Sequence, residues 1–232
     1  MEQGPVVSIH DVAFRWPGKQ PFALRIPKFS IARGEAVLLL GDSGSGKSTL
    51  LSLICGTILP QNGVVEVNGK DITKLSGGTR DRYRAENIGV VFQQFNLLPF
   101  GTVKDNILLP LYFARARKAR CPNGPKEAVR LCHALGLPQG IEHRKAAELS
   151  VGQQQRVAVA RALIGAPPLL IADEPTSALD EGHRRQFLDL MFAQLREQNA
   201  SLLMVSHDPR LSEHFDRTLK IQDVIDTERQ AA

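Results

Sequence analysis

Residues 36–50 read AVLLLGDSGSGKSTL, and this stretch decides the fold of the chain. Its first five residues are all apolar, which is typical of a strand buried on both faces of a parallel sheet. A glycine-rich loop with the spacing G-x-x-x-x-G-K-[ST] follows, and apolar residues then recur at helical intervals. A buried strand, a glycine loop and a helix in this order predict an α/β fold.

The loop is the first candidate site. Its glycines let the backbone curl round phosphate groups, Lys47 can reach the β- and γ-phosphates, and the Ser48 hydroxyl can ligate Mg²⁺. We therefore expect ATP and Mg²⁺ as ligands. A glycine turn without a ligand is the alternative, and the flanking strand and helix argue against it. The residues assigned to ATP binding here are Gly41, Asp42, Ser43, Gly44, Ser45, Gly46, Lys47, Ser48 and Thr49.

A pair of carboxylates forms the second candidate site, in the sequence LLIADEP at 169–175. Four apolar residues lead to Asp173, which would end a strand and can hold Mg²⁺ through water. Glu174 follows it and can polarise a water molecule for attack on the γ-phosphate. An ordinary Asp-Glu pair at a strand end is the alternative, and the phosphate loop in the same chain favours the catalytic interpretation.

Strand and helix patterns alternate along the chain, which predicts a mostly parallel sheet of the RecA-like P-loop NTPase type. Period-2 patterns before residue 36 predict an N-terminal antiparallel β part. Residues 94–149 have helical periodicity, with a capping-box pattern at Thr102 and Asp105, and Pro110 is expected to kink or end that helix. We expect one domain, with a nucleotide-binding core at 1–93 and 150–232 and an inserted helical lobe at 94–149.

Composition restricts the function only loosely. The 232 residues are 43% hydrophobic and 23% charged, which suits a globular protein with a substantial core. No apolar run approaches the roughly 20 residues of a spanning helix, and the N-terminus lacks a secretion signal. Three cysteines without paired spacing predict free thiols in a reducing compartment. The net charge of +5 fits nucleotides, an anionic membrane surface or nucleic acid.

A second helix start is predicted in ELSVGQQQRVAVARAL, residues 148–163. Ser150 is a favourable N-cap, and a largely apolar run follows. Such a helix start presents free backbone N–H groups and partial positive charge, so it suits an anion. A P-loop kinase would not need this element, and the NKxD string of a GTPase is missing from the sequence.

These motifs, with SALD at 177–180 and VSHD at 205–208, closely resemble the ATPase subunit of ABC transporters from about Val6 to Arg217. The resemblance implies that two subunits, expected to be identical, pack head to tail. Each would offer its LSVGQ helix start to the ATP held by the other. Val151 replaces the first glycine of the commoner LSGGQ, and we expect activity to survive. The residues assigned to this contact in trans are Ser150, Val151, Gly152, Gln153 and Asp180.

The resemblance implies further roles. Trp16 would stack on adenine, with a hydrophobic anchor at a turn as the alternative. Gln93 would touch Mg²⁺ and the attacking water, with Gln94 as the weaker candidate, and His207 would contact the γ-phosphate. The catalytic set is then Glu174, His207 and Gln93, and the metal set is Ser48, Gln93 and Asp173.

Residues 90–111, VVFQQFNLLPFGTVKDNILLPL, resemble the lipoprotein-release and macrolide-export (LolD/MacB-like) branch. That branch implies docking on transmembrane permease subunits through the 94–149 lobe at the cytoplasmic face of the inner membrane. It implies export or mechanotransmission, leaves room for a periplasmic adaptor, and involves no nucleic acid. An importer ATPase is the alternative. A DNA-acting ABC protein would need a coiled coil in the lobe, and a ribosome-acting one usually carries two cassettes.

The segment ARARKARCPNGP at 114–125 is longer and more basic than is usual for that branch. Its basic residues predict either a solvated loop or contact with anionic lipid headgroups, worth about 1 kcal/mol per charge. The four residues are Arg115, Arg117, Lys118 and Arg120.

Overall fold

The computed structural model describes residues 4–16, 22–176 and 181–229. The chain forms two compact units. The first comprises 1–84 and 203–232, and the second comprises 85–202. Helix α2 (Gly77–Asn87) and strand β8 (Ser201–Ser206) run across the boundaries between them. The boundaries of the core and of the inserted lobe given above remain predictions.

An antiparallel sheet in the first unit consists of five strands, β1 (Val7–Arg15), β2 (Phe22–Ile31), β4 (Asn62–Val67), β5 (Lys70–Asp71) and β10 (Asp226–Arg229). Their order in the sheet is β10-β2-β1-β4-β5. Ile9 in β1 faces Phe29 in β2 and Val65 in β4, and all three side chains are buried. The apolar core residues of β1 are two positions apart within each half of the strand, Val7 with Ile9 and Val12 with Phe14, and the phase changes between the halves.

The pairing of β1 with β4 shifts between His10 and Ala13. Asp11 has a φ of 49° there, and Gly63 lies against its carbonyl. A Cβ at Gly63 would be 2.4 Å from the Asp11 oxygen, so only glycine fits opposite this irregularity.

A parallel strand pair in the first unit carries the phosphate loop. Strand β3 (Ala36–Leu40) pairs in parallel with β9 (Arg217–Lys220), and Val37, Leu38 and Leu39 are fully buried. Helix α1 (Lys47–Ile54) begins directly after the loop. The strand, loop and helix predicted from residues 36–50 are therefore confirmed.

In the second unit, strands β6 (Ile88–Val91) and β7 (Leu169–Asp173) pair in parallel. A Cβ at Gly89 would be 2.3 Å from the carbonyl oxygen of Ala162, so the missing side chain lets a helix lie directly on β6. The helices of this unit are α3 (Val103–Phe113), α4 (Arg115–Arg120), α5 (Gly124–Ala134), α6 (Val151–Leu163) and α7 (Glu181–Gln198).

Helix α3 begins at the predicted capping box. The Asp105 N–H donates to the Thr102 hydroxyl at 3.1 Å, and the Thr102 N–H donates to the Asp105 carboxylate at 3.0 Å. Pro110 lies inside α3, which ends three residues later at Phe113. Among the residues that the structure describes, no helix is long and apolar enough to cross a membrane.

The basic segment is helical over α4, and Arg117 is only 2% exposed. Its guanidinium donates to the carbonyls of Ala162 and Ile164, at the C-terminal end of α6. Carbonyls at a helix end lack hydrogen-bond partners within the helix, and the buried guanidinium of Arg117 donates to them. For Arg117, the predictions of a solvated loop and of contact with lipid headgroups are therefore both wrong. Burial lowers the pKa of Arg117 to about 9, while Arg115 and Lys118 are exposed.

Candidate nucleotide-binding and hydrolysis site

The phosphate loop joins β3 to α1 in the first unit. Gly44 and Gly46 have φ values of 75° and 103°, which glycine adopts without strain. The buried Lys47 ammonium donates to the carbonyls of Gly41, at 2.5 Å, and Asp42, at 2.7 Å. Helix α1 has no acidic residue in its first turn and no side-chain cap, so its N-terminal N–H groups suit an anion.

Trp16 lies beside the first turn of α1. Its indole Nε1–H donates to the Thr49 hydroxyl at 3.3 Å, and its ring meets Phe14 edge-on with centroids 5.1 Å apart. The side chain is 42% exposed, so part of it remains open to solvent. The structure therefore brings the predicted aromatic residue next to the phosphate-loop helix, and adenine stacking remains a prediction.

The segment carrying His207 is hydrogen-bonded to the start of the phosphate loop in the same unit. The Gly41 N–H donates to the carbonyl of Ser206, the residue before His207, at 3.2 Å. His207 is exposed, and the next residue, Asp208, forms an ion pair with Arg210. Asp180, the predicted contact in the SALD motif, lies outside the described residues.

The carboxylates and Gln93 follow neighbouring parallel strands of the second unit, at the same edge of the strand pair. Asp173 ends β7, and Val91 at the end of β6 lies opposite Ala172. Because the strands are parallel, residues that follow β6 share an edge with Asp173 and Glu174. Both carboxylate residues are half-buried. Amide and carboxylate oxygens are ligands that Mg²⁺ accepts, so this edge fits the predicted metal site.

Glu174 has a left-handed backbone, with a φ of 46°. Such a conformation costs a non-glycine residue on the order of 1–3 kcal/mol and persists only where the surroundings hold it. Gln155 of α6, which is fully buried, donates from Nε2 to the carbonyl of Pro175, the residue after Glu174. Helix α6 thus helps to fix the backbone beside the predicted general base.

Gln93 and Gln94 form the corner of a tight turn. The Phe95 N–H donates to the carbonyl of Phe92 at 2.9 Å, and both glutamines are exposed. We call residues 92–96 the glutamine turn. The turn places both candidate glutamines at the surface, directly after β6.

The second helix start is α6. Ser150 is its N-cap: the Gln153 N–H donates to the serine hydroxyl at 3.3 Å, and the Ser150 N–H donates to Gln153 Oε1 at 3.1 Å. The first turn has no acidic residue, and Val151 is 51% exposed. Sequence reasoning predicted the N-cap but missed the reciprocal bond, which the S-x-x-Q spacing at 150–153 signals.

A glycine loop between a buried parallel strand and a helix, with carboxylates at the end of another strand, defines the class of P-loop nucleotide-binding proteins. A family model described as ABC transporter matches residues 24–177, which is more than half of the chain. The chain therefore belongs to the ABC transporter family.

Similar proteins agree with this assignment. The lipoprotein-releasing system ATP-binding protein LolD of Hydrogenovibrio crunogenus is 40% identical over 84% of this chain and 83% of its own length. The uncharacterized ABC transporter ATP-binding protein YbbA of Escherichia coli K12 is 40% identical over 82% of each. The dimeric post-hydrolysis state of the ATP-binding cassette MJ0796, bound to ADP and Pi, has a TM-score of 0.84 and 32% identity, covering 97% of this chain and 99% of that chain.

The comparisons confirm three predictions. The chain has the P-loop NTPase fold, it is an ATP-binding subunit of an ABC transporter that hydrolyses ATP, and it resembles the LolD-like branch.

Proposed function

We propose that two copies of this chain face each other and hold two ATP molecules between them, so that closure on ATP and opening after hydrolysis drive a separate permease. The observation that carries the proposal is the start of α6. Ser150 caps it, acidic side chains are missing from its first turn, and Val151 is exposed, so its partial positive charge is open to an anion. MJ0796, which has the same fold, is dimeric in the presence of ADP and Pi.

Within each site, Lys47 and the N–H groups of α1 hold the phosphates. Ser48, Gln93 and Asp173 supply oxygen ligands to Mg²⁺, which when bound neutralises charge on the phosphate oxygens. Glu174 accepts a proton from the attacking water. Trp16 contacts adenine, and His207 contacts the γ-phosphate. The partner copy contributes Ser150, Val151, Gly152, Gln153 and Asp180.

The transmembrane partner docks on the second unit. Three aromatic side chains there, one before α3 and two at its C-terminal end, are largely exposed, at 76%, 76% and 68%, and aromatic residues are enriched at interfaces. We call them the aromatic patch, and they are Phe100, Tyr112 and Phe113.

The similarity to LolD favours export or mechanotransmission at the cytoplasmic face of the inner membrane, with room for a periplasmic adaptor and without nucleic acid. Co-purification of the membrane complex distinguishes the alternatives. A permease with a large extracytoplasmic domain supports this proposal, and a permease with a solute-binding protein supports import.

Mixing two inactive variants tests the shared site. Lys47→Ala disables the phosphate loop, and Ser150→Arg disables the helix start that is offered to the partner. Each variant alone should hydrolyse ATP at least about 100-fold more slowly than the wild type, because a preorganised charge contact is lost. A mixed dimer contains one intact site, so the mixture should regain activity. A mixture as inactive as its components, although mixed dimers form on a sizing column, would contradict the proposal.

A further inference from the structure

Arg161 is a buried cation on α6, and within the described part of the chain its guanidinium donates its hydrogen bonds to the glutamine turn. Its side chain donates from Nη1 to the carbonyl of Asn96 at 2.7 Å and from Nη2 to the carbonyl of Phe95. The residue is 8% exposed. Burial lowers its pKa, and the guanidinium of arginine remains protonated in proteins.

The two carbonyls belong to a strained part of the chain. Phe95 and Asn96 have φ values of 58° and 49°, two consecutive left-handed residues, neither of which is glycine. Non-glycine residues hold this conformation only where neighbouring groups fix it. The planar guanidinium bonds the two carbonyls through two different nitrogens at a fixed spacing, which the single ammonium nitrogen of lysine does not reproduce. Arg161 therefore fixes the end of the turn that carries Gln93.

Helix α6 is itself anchored at its C-terminal end. Arg117 donates to the carbonyls of Ala162 and Ile164, on either side of the helix end at Leu163. Arg161 is thus attached to a fixed helix end. The same helix begins at Ser150, about 16 Å away at 1.5 Å per residue.

We propose that Arg161 is a positioning residue for ATP hydrolysis: it holds the glutamine turn so that the Gln93 amide meets Mg²⁺ and the attacking water. This inference rests on the proposed role of Gln93. Because α6 also starts at the surface that is offered to the partner's nucleotide, Arg161 links that contact to the chain's own hydrolytic side chains. Loss of the link slows turnover and leaves ATP binding intact.

Arg156 supplies a matched control on the same helix. It is half-buried, and its guanidinium donates to the carbonyl of Leu135 at 2.7 Å and to Gln186 at 3.2 Å. It therefore fixes other helices of the second unit and makes no hydrogen bond to the glutamine turn. Arg161→Lys and Arg156→Lys make the same chemical change, and only the first loosens the turn.

The test measures kcat, KM for ATP and the thermal midpoint for Arg161→Lys, Arg156→Lys, Gln93→Ala and the double variant Arg161→Lys/Gln93→Ala. Arg161→Lys should lower kcat about 10-fold with KM within about 2-fold, because small misplacements of a catalytic group reduce the rate steeply. Arg156→Lys should keep the wild-type kcat. In the Gln93→Ala chain, Arg161→Lys should lower kcat no further.

The contrary results distinguish a wrong role for Arg161 from a wrong role for Gln93. If Arg161→Lys lowers kcat as much in the Gln93→Ala chain as in the wild type, Arg161 acts only on stability and the inference is overturned. If Gln93→Ala alone keeps the wild-type kcat, the proposed role of Gln93 is wrong and the inference falls with it. If Arg161→Lys does not fold, the double variant Arg161→Lys/Asn96→Gly takes its place in the test. Glycine adopts a φ of 49° without strain, so adding this change should restore folding, whereas kcat should stay low because the guanidinium that holds the turn is still missing. A folded double variant with the wild-type kcat would also overturn the inference.

Discussion

At the scale of single residues, Glu174 has the most specific predicted role. Its side chain follows Asp173 at the end of β7, on a backbone with positive φ. We expect Glu174→Gln to keep ATP binding and to lower kcat by about 10²–10⁴-fold, as is typical for loss of a general base. Steady-state ATPase assays and fluorescent-nucleotide titration measure the two effects. Glu213→Gln, at an exposed glutamate, is the control. Near-normal turnover of Glu174→Gln would remove this residue from catalysis.

The cysteines give a second prediction at this scale. Burial raises the pKa of the thiols of Cys55 and Cys132 to about 12. Both thiols should therefore stay protonated in the folded chain at pH 8, where an unfolded thiol with a pKa near 8.5 already ionises. Ellman's reagent should react with them slowly until denaturant is added. Immediate reaction of all three cysteines in the native protein would contradict the prediction.

The raised pKa values of the buried thiols also determine how the stability of the fold depends on pH. Because the folded pKa lies above the unfolded value, the contribution of the buried thiols is complete below about pH 8.5 and is lost as the pH rises towards 12. Denaturant melts of wild type and Cys132→Ala should therefore converge at alkaline pH.

Residues whose partners are local were the ones that the sequence could identify. Thr102 with Asp105 and Ser150 as an N-cap were both predicted from short spacings, and the structure has both caps. Arg161 and Gln155 could not be identified, because their bonds reach carbonyls 65 and 20 residues away, respectively. Backbone carbonyls carry no sequence signature, so only the folded chain shows which cation meets them.

At the scale of elements, the start of α3 yields a prediction for stability. Thr102→Ala removes the N-cap and should lower the free energy of unfolding by about 1 kcal/mol at pH 7. Chemical denaturation followed by circular dichroism measures this change. Thr218→Ala, at an exposed position of strand β9, is the control, and equal losses for both variants would contradict a capping role.

The capping box also depends on pH. The hydrogen bond from the Thr102 hydroxyl lowers the pKa of the Asp105 carboxyl. Asp105 therefore stabilises the fold above its unfolded pKa of about 3.9, and this contribution is lost as the pH falls through the lowered folded value. Asp105→Asn should be less stable than wild type at pH 7, and the difference should shrink as the pH falls below about 3.9. A difference that is constant across this range would argue against a role for the charge.

Helix α4 is the element that the sequence described least well. The sequence RARKAR at 115–120 has no apolar periodicity, so it predicts a charged loop. Its helix forms because Arg117 reaches the unpaired carbonyls at the end of α6, which compensates for burying the guanidinium. The contact spans more than 40 residues, so local pattern alone could not indicate it.

At the scale of the whole molecule, the aromatic patch should determine association with the permease. Changing Phe100, Tyr112 and Phe113 together to serine should remove the membrane subunits from pull-downs, while the basal ATPase of the purified chain stays within about twofold, because exposed groups away from the site contribute little to stability. Leu59→Ser, at another exposed apolar residue, is the control. A triple variant that still recovers the full complex would exclude the patch.

The overall architecture was largely predictable because alternating strand and helix patterns follow directly from burial. The antiparallel N-terminal part, the buried β3 and the loop before α1 all lie where apolar periodicity predicts them. The α4 contact and the left-handed residues of the glutamine turn depend on tertiary contacts, which periodicity does not encode.

The half-exposed Val151 has a thermodynamic consequence for pairing. In a separate subunit its isopropyl group is partly in water, at the position where the usual family motif has a glycine. Two copies that close over these helix starts would dehydrate two such groups. Burial of apolar surface gives association a negative heat-capacity change. The plot of ln K for dimer formation against temperature should therefore curve more strongly for this chain than for a Val151→Gly chain. Warming from the cold would then tighten the closed pair.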